Sequence, residues 1–309
     1  MQLTIFCALY PEAREIIQTF QLKKENGRTH FQVFTDEAGS LRLVITGTGA
    51  ISAASAVAEV SALFPPKETD LLLNFGTCAA GDGVPVGELF LCNKLTEQCS
   101  GRTFYPDMLY RHPFGEAEVI SCGKVMAREE ILREDVVLEE PESVNHPVSA
   151  VKLYDLEAAG IYQAGSYSYG PHQMLFLKVV SDHGSGPGNE IREKNVDMHQ
   201  QVADIIGSSA PEVCSYISFL REFCQREAVQ NQGKYDQRQQ VKEAAAALGE
   251  QLHCSVVMRG ELEQLLWYWK LTGVDYEEMF LDFRRQGRLP AKDKREGKKI
   301  LDELKGHLF

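Results

Sequence analysis

The chain has 309 residues, 44% hydrophobic and 25% charged, with a formal net charge of −12. That balance suits one large globular domain with a small appendage and argues against a general nucleic-acid binder. No apolar run approaches a membrane helix in length, and MQLTIFCALYPEAREI lacks the basic start of a signal peptide. A cytoplasmic protein with no membrane partner is therefore expected.

In chain order, LTIFCAL (3–9) predicts a strand, and a helix starts near Pro11, a residue suited to a first helical turn. LRLVIT (41–46) is strand-like and runs into Gly47-Thr48-Gly49. A helix follows, with Ala53, Val57, Val60 and Phe64 on one face, and Pro65-Pro66 end it. LLLNF (71–75) reads as a buried strand leading into a loop, GTCAAGDG. ELFLC (88–92) and EVISC (118–122) are further strands. AVKLYDLEAAGIYQAG (150–165) starts extended and turns helical near Asp155, and MLFLKVV (174–180) is the most apolar strand. Ile191, Met198, Val202 and Ile205 share a helix face, and a last helix of this part runs from about Pro211 to Cys224.

Repeated strand-then-helix order predicts an α/β fold, a central mixed sheet flanked by helices, over residues 1–224. In such sheets ligands bind beyond the carboxyl ends of strands, where GTG, NFGT, DLE and SD all fall. Residues 225–233, with Gln230-Asn231-Gln232-Gly233, read as a linker, and 234–309 as a small all-α module. Its stripes are Val241, Ala244, Leu248, Leu252; Leu262, Leu265, Leu266, Trp269; and Tyr276, Met279, Phe280, Phe283. Asp275 and Glu278 are spaced as a capping box, with Gly287 as a stop. Charge separates the two parts: residues 1–224 carry a net of −13 and 225–309 a net of +1. Eight scattered cysteines form no CxxC pair and no zinc-like cluster, so neither disulfides nor a structural metal are expected.

Five fragments stand in an order that resembles the nucleoside phosphorylases and nucleosidases, in particular the 5′-methylthioadenosine/S-adenosylhomocysteine nucleosidase branch, over roughly residues 1–220. They are ALYPEAREI, GTG before a small-residue helix, NFGTCAAG with VPVGELFL, YDLEAAGI, and VVSDHG. The resemblance implies hydrolysis of the N-ribosidic bond of a purine nucleoside or 5′-thionucleoside, as in purine metabolism and methionine salvage. Methylthioadenosine, adenosylhomocysteine and 5′-deoxyadenosine are the candidate substrates, and no cofactor is required. It also implies a homo-oligomer, because in that family a neighbouring subunit helps to build the 5′ pocket.

The chemistry explains the residue types. Cleaving such a bond builds positive charge on the sugar and negative charge on the departing base, so an acid that still holds its proton near neutral pH must protonate the base. A carboxyl partly desolvated at a strand end can do this. By resemblance that acid is Asp182, steadied by Ser181; taken alone, Ser-Asp is a turn cap. Glu157 accepts the ribose 2′- and 3′-hydroxyls and faces the developing cation, while Leu156 packs on the sugar. Glu12 is the general base for water, although an acid in a first helical turn is also favoured by the helix dipole. Thr77 binds that water or a ribose oxygen, or caps a loop. Thr48 lines the sugar pocket or merely turns.

The base site departs from the family. Ser121-Cys122-Gly123-Lys124-Val125-Met126 stands where relatives stack an aromatic residue on adenine. Val125 and Met126 are then the candidate base contacts, and the base is left open. His183 and Arg192 are alternative contacts to a base carbonyl, or surface residues. Neither glycine loop contains Lys or Arg, and Arg14 alone is thin for a phosphate dianion, so water is the expected nucleophile. The alternatives are a phosphate-dependent phosphorylase and a catalytically silent nucleoside-binding sensor. Residues 284–299 hold eight basic and two acidic residues. They read as a solvated helix end and tail, and nucleic acid is not an expected partner.

Overall fold

A computed structural model describes residues 2–25, 27, 29–136, 151–184 and 198–306 of the chain. Ile191 and Arg192 lie outside the described residues. The chain divides into two compact units, Met1–Glu227 and Ala228–Phe309.

The first unit is built on a mixed sheet of β1 (Leu3–Cys7), β2 (Lys23–Lys24), β3 (Gln32–Thr35), β4 (Leu41–Ile45), β5 (Leu71–Ala80), β6 (Leu89–Glu97), β7 (Arg102–Phe104), β8 (Gly115–Ser121), β9 (Val151–Asp155) and β10 (Met174–Asp182). Its helices are α1 (Tyr10–Thr19), α2 (Ala50–Leu63), α3 (Arg128–Val136), α4 (Ala158–Gly165) and the start of α5 (Met198–Gln251). Strand β1 lies parallel between β4 and β5. Strand β10 runs parallel to β5 and antiparallel to β6. Strand β8 is parallel to both β6 and β9, and β9 pairs antiparallel with the end of β5. The pairings β5–β10–β6–β8–β9–β5 therefore close into a ring.

Strand β5 makes that closure possible. Leu71 to Asn74 pair with β1, while Ala79 and Ala80 pair with β9. The sequence reading ended this strand at Phe75 and took the rest as loop. Instead the strand continues through Gly76-Thr77-Cys78-Ala79-Ala80, whose small side chains let it change partners.

Side chains sort by the two-residue period of a strand. Leu3, Ile5 and Cys7, Leu71, Leu73 and Phe75, and Leu175, Leu177 and Val179 form one core layer with Ala13 and Ile16 of α1 and Val213, Ile217 and Leu220 of α5. Phe6, Leu72, Met174, Phe176 and Val180 form the other, against Ala53, Val57 and Val60 of α2 and Ala158 and Ile161 of α4. Gly160 sets the α2–α4 approach: a Cβ there would sit 2.6 Å from the Ala50 carbonyl oxygen.

Helix α5 revises the expected layout. The stretch 225–233, read as a linker, is helical, and Pro211 lies inside the helix rather than at its start. Gln, Arg, Glu and Ala are good helix formers, and Gly233 alone does not stop them. Pro211 removes one N–H, but Gly207, whose carbonyl loses it, is exposed to water.

In the second unit, Val241, Ala245 and Leu248 of α5, with Leu252 in the turn after it, share a core with α6 (Val256–Thr272), α7 (Tyr276–Arg285) and α8 (Lys294–Gly306). Ser255 caps α6 and Asp275 caps α7 through their side-chain oxygens. Gly287 turns the chain after α7 at φ +69°. The basic stretch is not a tail: it leads into α8, whose Ile300, Leu301 and Leu304 are buried in this core. Among the described residues no helix is long and apolar enough to cross a membrane.

Candidate active site

The carboxyl ends of β1, β5, β9 and β10 gather the acids. Glu12 sits in the first turn of α1, directly after β1, and is 2% exposed. Its Oε2 accepts the Leu9 N–H at 2.9 Å. Its Oε1 accepts the Thr77 N–H at 2.8 Å and the Thr77 hydroxyl at 2.9 Å. A carboxylate offers about four lone-pair sites, so this one is fixed on three sides with one acceptor position left. Thr77 holds Glu12 in place, and Gly76 beside it leaves the room: a Cβ there would meet Glu12 Oε1 at 3.1 Å.

Glu157 lies in the turn between β9 and α4, 7% exposed. Its Oε1 accepts the Gly49 N–H at 2.7 Å, an amide at the N-terminus of α2 that has no intrahelical partner. Gly47 and Gly49 have φ of +75° and +92°, a conformation that glycine adopts without strain, and they present that amide. Burial pushes the Glu157 carboxyl up to about 7, with help from the Asp155 and Glu12 carboxylates, against the pull of Lys178 and the Gly49 hydrogen bond. Two buried acids thus sit beside the strand ends, close enough for the Glu12 carboxylate to disfavour ionisation of Glu157.

Asp182 ends β10. Val179 is in register with Thr77 and Asp182 with Ala79, across an irregularity after Val180. From strand spacing, the Asp182 Cα lies roughly 8 Å from that of Thr77. Ser181 Oγ donates to Asp182 Oδ2 at 2.7 Å and lies 3.1 Å from the Cys78 carbonyl oxygen. Asp182 Oδ1 accepts the Gly184 N–H at 2.8 Å. Gly184, at φ +87°, packs so closely that a Cβ would meet the Arg128 amide at 2.8 Å. The turn-capping role is therefore present, and Ser181 steadies the acid. The expected desolvation is not found there: Asp182 is exposed and Glu157 is the desolvated acid.

Of the other predicted residues, Leu156 is half-buried and packs on a small cluster of Ile120, Cys122, Met126, Ile131 and Tyr154. Met126 is buried within it, whereas Val125 is 63% exposed. Thr48 is exposed between its two glycines. The His183 Nδ1 lies 3.2 Å from the Ala80 carbonyl oxygen, so that nitrogen is held by backbone. Arg14 is exposed and pairs with Glu15 at 3.0 Å.

Sequence reasoning missed the network beneath Glu157. Lys178, on the α2/α4 face of β10, pairs with Asp155 Oδ2 at 2.8 Å, their side chains 1% and 0% exposed. Ser121 donates to Asp155 Oδ1 at 2.6 Å. The available signal was a lone lysine in the most apolar strand of the chain. Among the described residues no His, Cys, Asp and Glu side chains are grouped as three or more metal ligands.

No family model and no curated protein matches the sequence. Solved structures do match the fold. The Streptococcus pneumoniae MTA/SAH nucleosidase in complex with 8-aminoadenine is 18% identical over 70% of this chain and 99% of its own, with a TM-score of 0.52. The Streptococcus pyogenes S-adenosylhomocysteine nucleosidase gives 15%, 70% and 96%, with a TM-score of 0.54. The Arabidopsis thaliana 5′-methylthioadenosine nucleosidase gives 14%, 71% and 95%, with a TM-score of 0.53. Ring-closed sheet, flanking helices and these neighbours together identify the fold of this chain as that of the nucleoside phosphorylases and nucleosidases.

Proposed function

We propose that the chain hydrolyses the N-ribosidic bond of a purine nucleoside or 5′-thionucleoside and releases the free base. The observation that carries this reading is the pair of buried carboxyls, Glu12 and Glu157, beside the strand that ends in Asp182. Asp182 gives its proton to a ring nitrogen of the base, and the electron pair of the C1′–N bond leaves with the base. A heterocycle packed over this exposed acid withdraws it from water, which favours the protonated form. Glu157 accepts the ribose hydroxyls, and its charge faces the cationic sugar. Glu12, held by Thr77 and Leu9, takes a proton from the water that attacks C1′.

Water is preferred to phosphate because a dianion placed between two buried carboxyls is repelled by both. Arg14 turns to Glu15 and Lys178 is committed to Asp155, so neither cation is presented to it. Methylthioadenosine and adenosylhomocysteine are the first substrates to try, since the named neighbours act on them. Val125 and Met126 remain the base contacts and Leu156 the packing surface for the sugar, and the assembly is a homo-oligomer. Base release measured with and without phosphate tests the reading. Release at full rate without phosphate supports it. An absolute phosphate requirement assigns phosphorolysis instead, and tight binding without release assigns a sensor.

A further inference from the structure

Lys178 is placed where chemistry, rather than packing, explains it. Its neighbours on the same face of β10, Phe176 and Val180, are wholly apolar core. An ammonium in that layer is strongly disfavoured unless it is paired and hydrogen-bonded. Asp155 supplies the pair, and burial, which pulls the lysine down, is outweighed by the Asp155 and Glu157 carboxylates, which raise it.

The same Asp155 caps α4. Its Oδ2 accepts the Ala158 N–H at 2.9 Å, and Ser121 Oγ accepts the Ala159 N–H at 2.8 Å. Two of the amides that open α4 are thereby satisfied. Glu157 is the residue immediately before them, so its backbone is clamped between Asp155 and Ala158.

Resting on the nucleosidase reading, we infer that Lys178, Asp155 and Ser121 form a positioning network that fixes the Glu157 turn and sets the charge on its carboxyl. The charged groups that face Glu157 are Glu12 from α1, Asp155 from β9 and Lys178 from β10, with the Gly49 amide from α2. Lys178 is the cation in this set, and it favours the ionised form that a cationic sugar requires. Asp155 does the opposite. Lysine and aspartate thus hold the turn together while pulling the carboxyl in opposite directions.

The test reads Glu157 directly in the full chain, by ¹³C NMR titration of its side-chain carboxyl, assigned by its disappearance in Glu157→Gln. This readout works whether or not the protein turns over a nucleoside. Lys178→Gln, which can still donate to Asp155, should move the midpoint up by about one pH unit or more. Asp155→Asn should move it down, and Lys178→Arg should leave it near the wild-type value. If Lys178→Gln does not fold, the double variant Asp155→Asn/Lys178→Gln leaves neither member of that ion pair without its partner, and its midpoint should lie above that of Asp155→Asn. Where nucleoside hydrolysis is observed, the acid limb of kcat/KM should follow these midpoints. A network that merely supports the fold would lower stability and move neither. Shifts of the same sign in Lys178→Gln and Asp155→Asn, or a double-variant midpoint no higher than that of Asp155→Asn, overturn the inference.

Discussion

Replacing Glu157 by Gln should make the protein more stable above neutral pH while it disables the site. The span from 4.5 to about 7 at this carboxyl corresponds to about 3 kcal/mol against the ionised form. A carboxyl raised by folding contributes stability below its unfolded value, near 4.5, and that contribution is lost as pH rises through about 7. Glutamine cannot ionise, and its side-chain carbonyl can still accept the Gly49 N–H. The variant should therefore match the wild type near pH 5, to within about 1 kcal/mol, and exceed it by about 3 kcal/mol near pH 8. Urea unfolding at both pH values, followed by hydrogen exchange of the Leu175–Val180 amides, measures this in the right unit. Both tryptophans, Trp267 and Trp269, lie in the second unit, so their fluorescence serves as the unaffected control. A variant equally or less stable at both pH values would refute the reasoning, because it would mean that the carboxylate is fully compensated in the fold.

Asp182→Asn should keep the Gly184 hydrogen bond on its one oxygen and donate its amide N–H to Ser181 Oγ, fold normally and bind nucleoside, yet lose base release by about 100-fold or more; calorimetric binding and a steady-state assay together check it. Gly160→Ala should cost about 1–3 kcal/mol, because the new Cβ would lie 2.6 Å from the Ala50 carbonyl oxygen and drive α2 from α4. Since Gly49 at the head of α2 binds Glu157, the same change should weaken substrate binding, visible as a raised KM. Wild-type kcat/KM should rise as pH passes about 7, because the ionised form of Glu157 is the one that faces the cationic sugar; a profile that falls through that range contradicts the role.

Seven strands were legible because they are largely buried and read as apolar runs, whereas the short strands β2, β3 and β7, two to four residues long and mostly exposed at β2 and β7, carry too few apolar residues to show a pattern. The candidate site was legible for a related reason: GTG and SD interrupt apolar patterns at strand ends, and Gly76-Thr77 breaks one within β5. The sequence could not reveal what three-dimensional pairing creates. Lys178 looks misplaced in MLFLKVV until Asp155, 23 residues earlier in the chain, is brought beside it. The continuation of β5 past Phe75 depends on a change of partner that small residues permit but do not announce. Helix α8 was hidden because the basic residues around Ile300, Leu301 and Leu304 outweigh its apolar stripe in any composition count. Strand-end position suggested burial for Asp182, but its turn leaves the carboxyl in water, and Glu157 carries the desolvation instead.

The central claim is that the strand-end acids break a bond between a sugar and a base. Wild type and Asp182→Asn should be incubated with methylthioadenosine in phosphate-free buffer, and free adenine quantified by chromatography. Catalytic release by the wild type, nearly abolished in the variant, is the predicted result. Release undiminished in Asp182→Asn, or none from this or any other purine nucleoside, would contradict it.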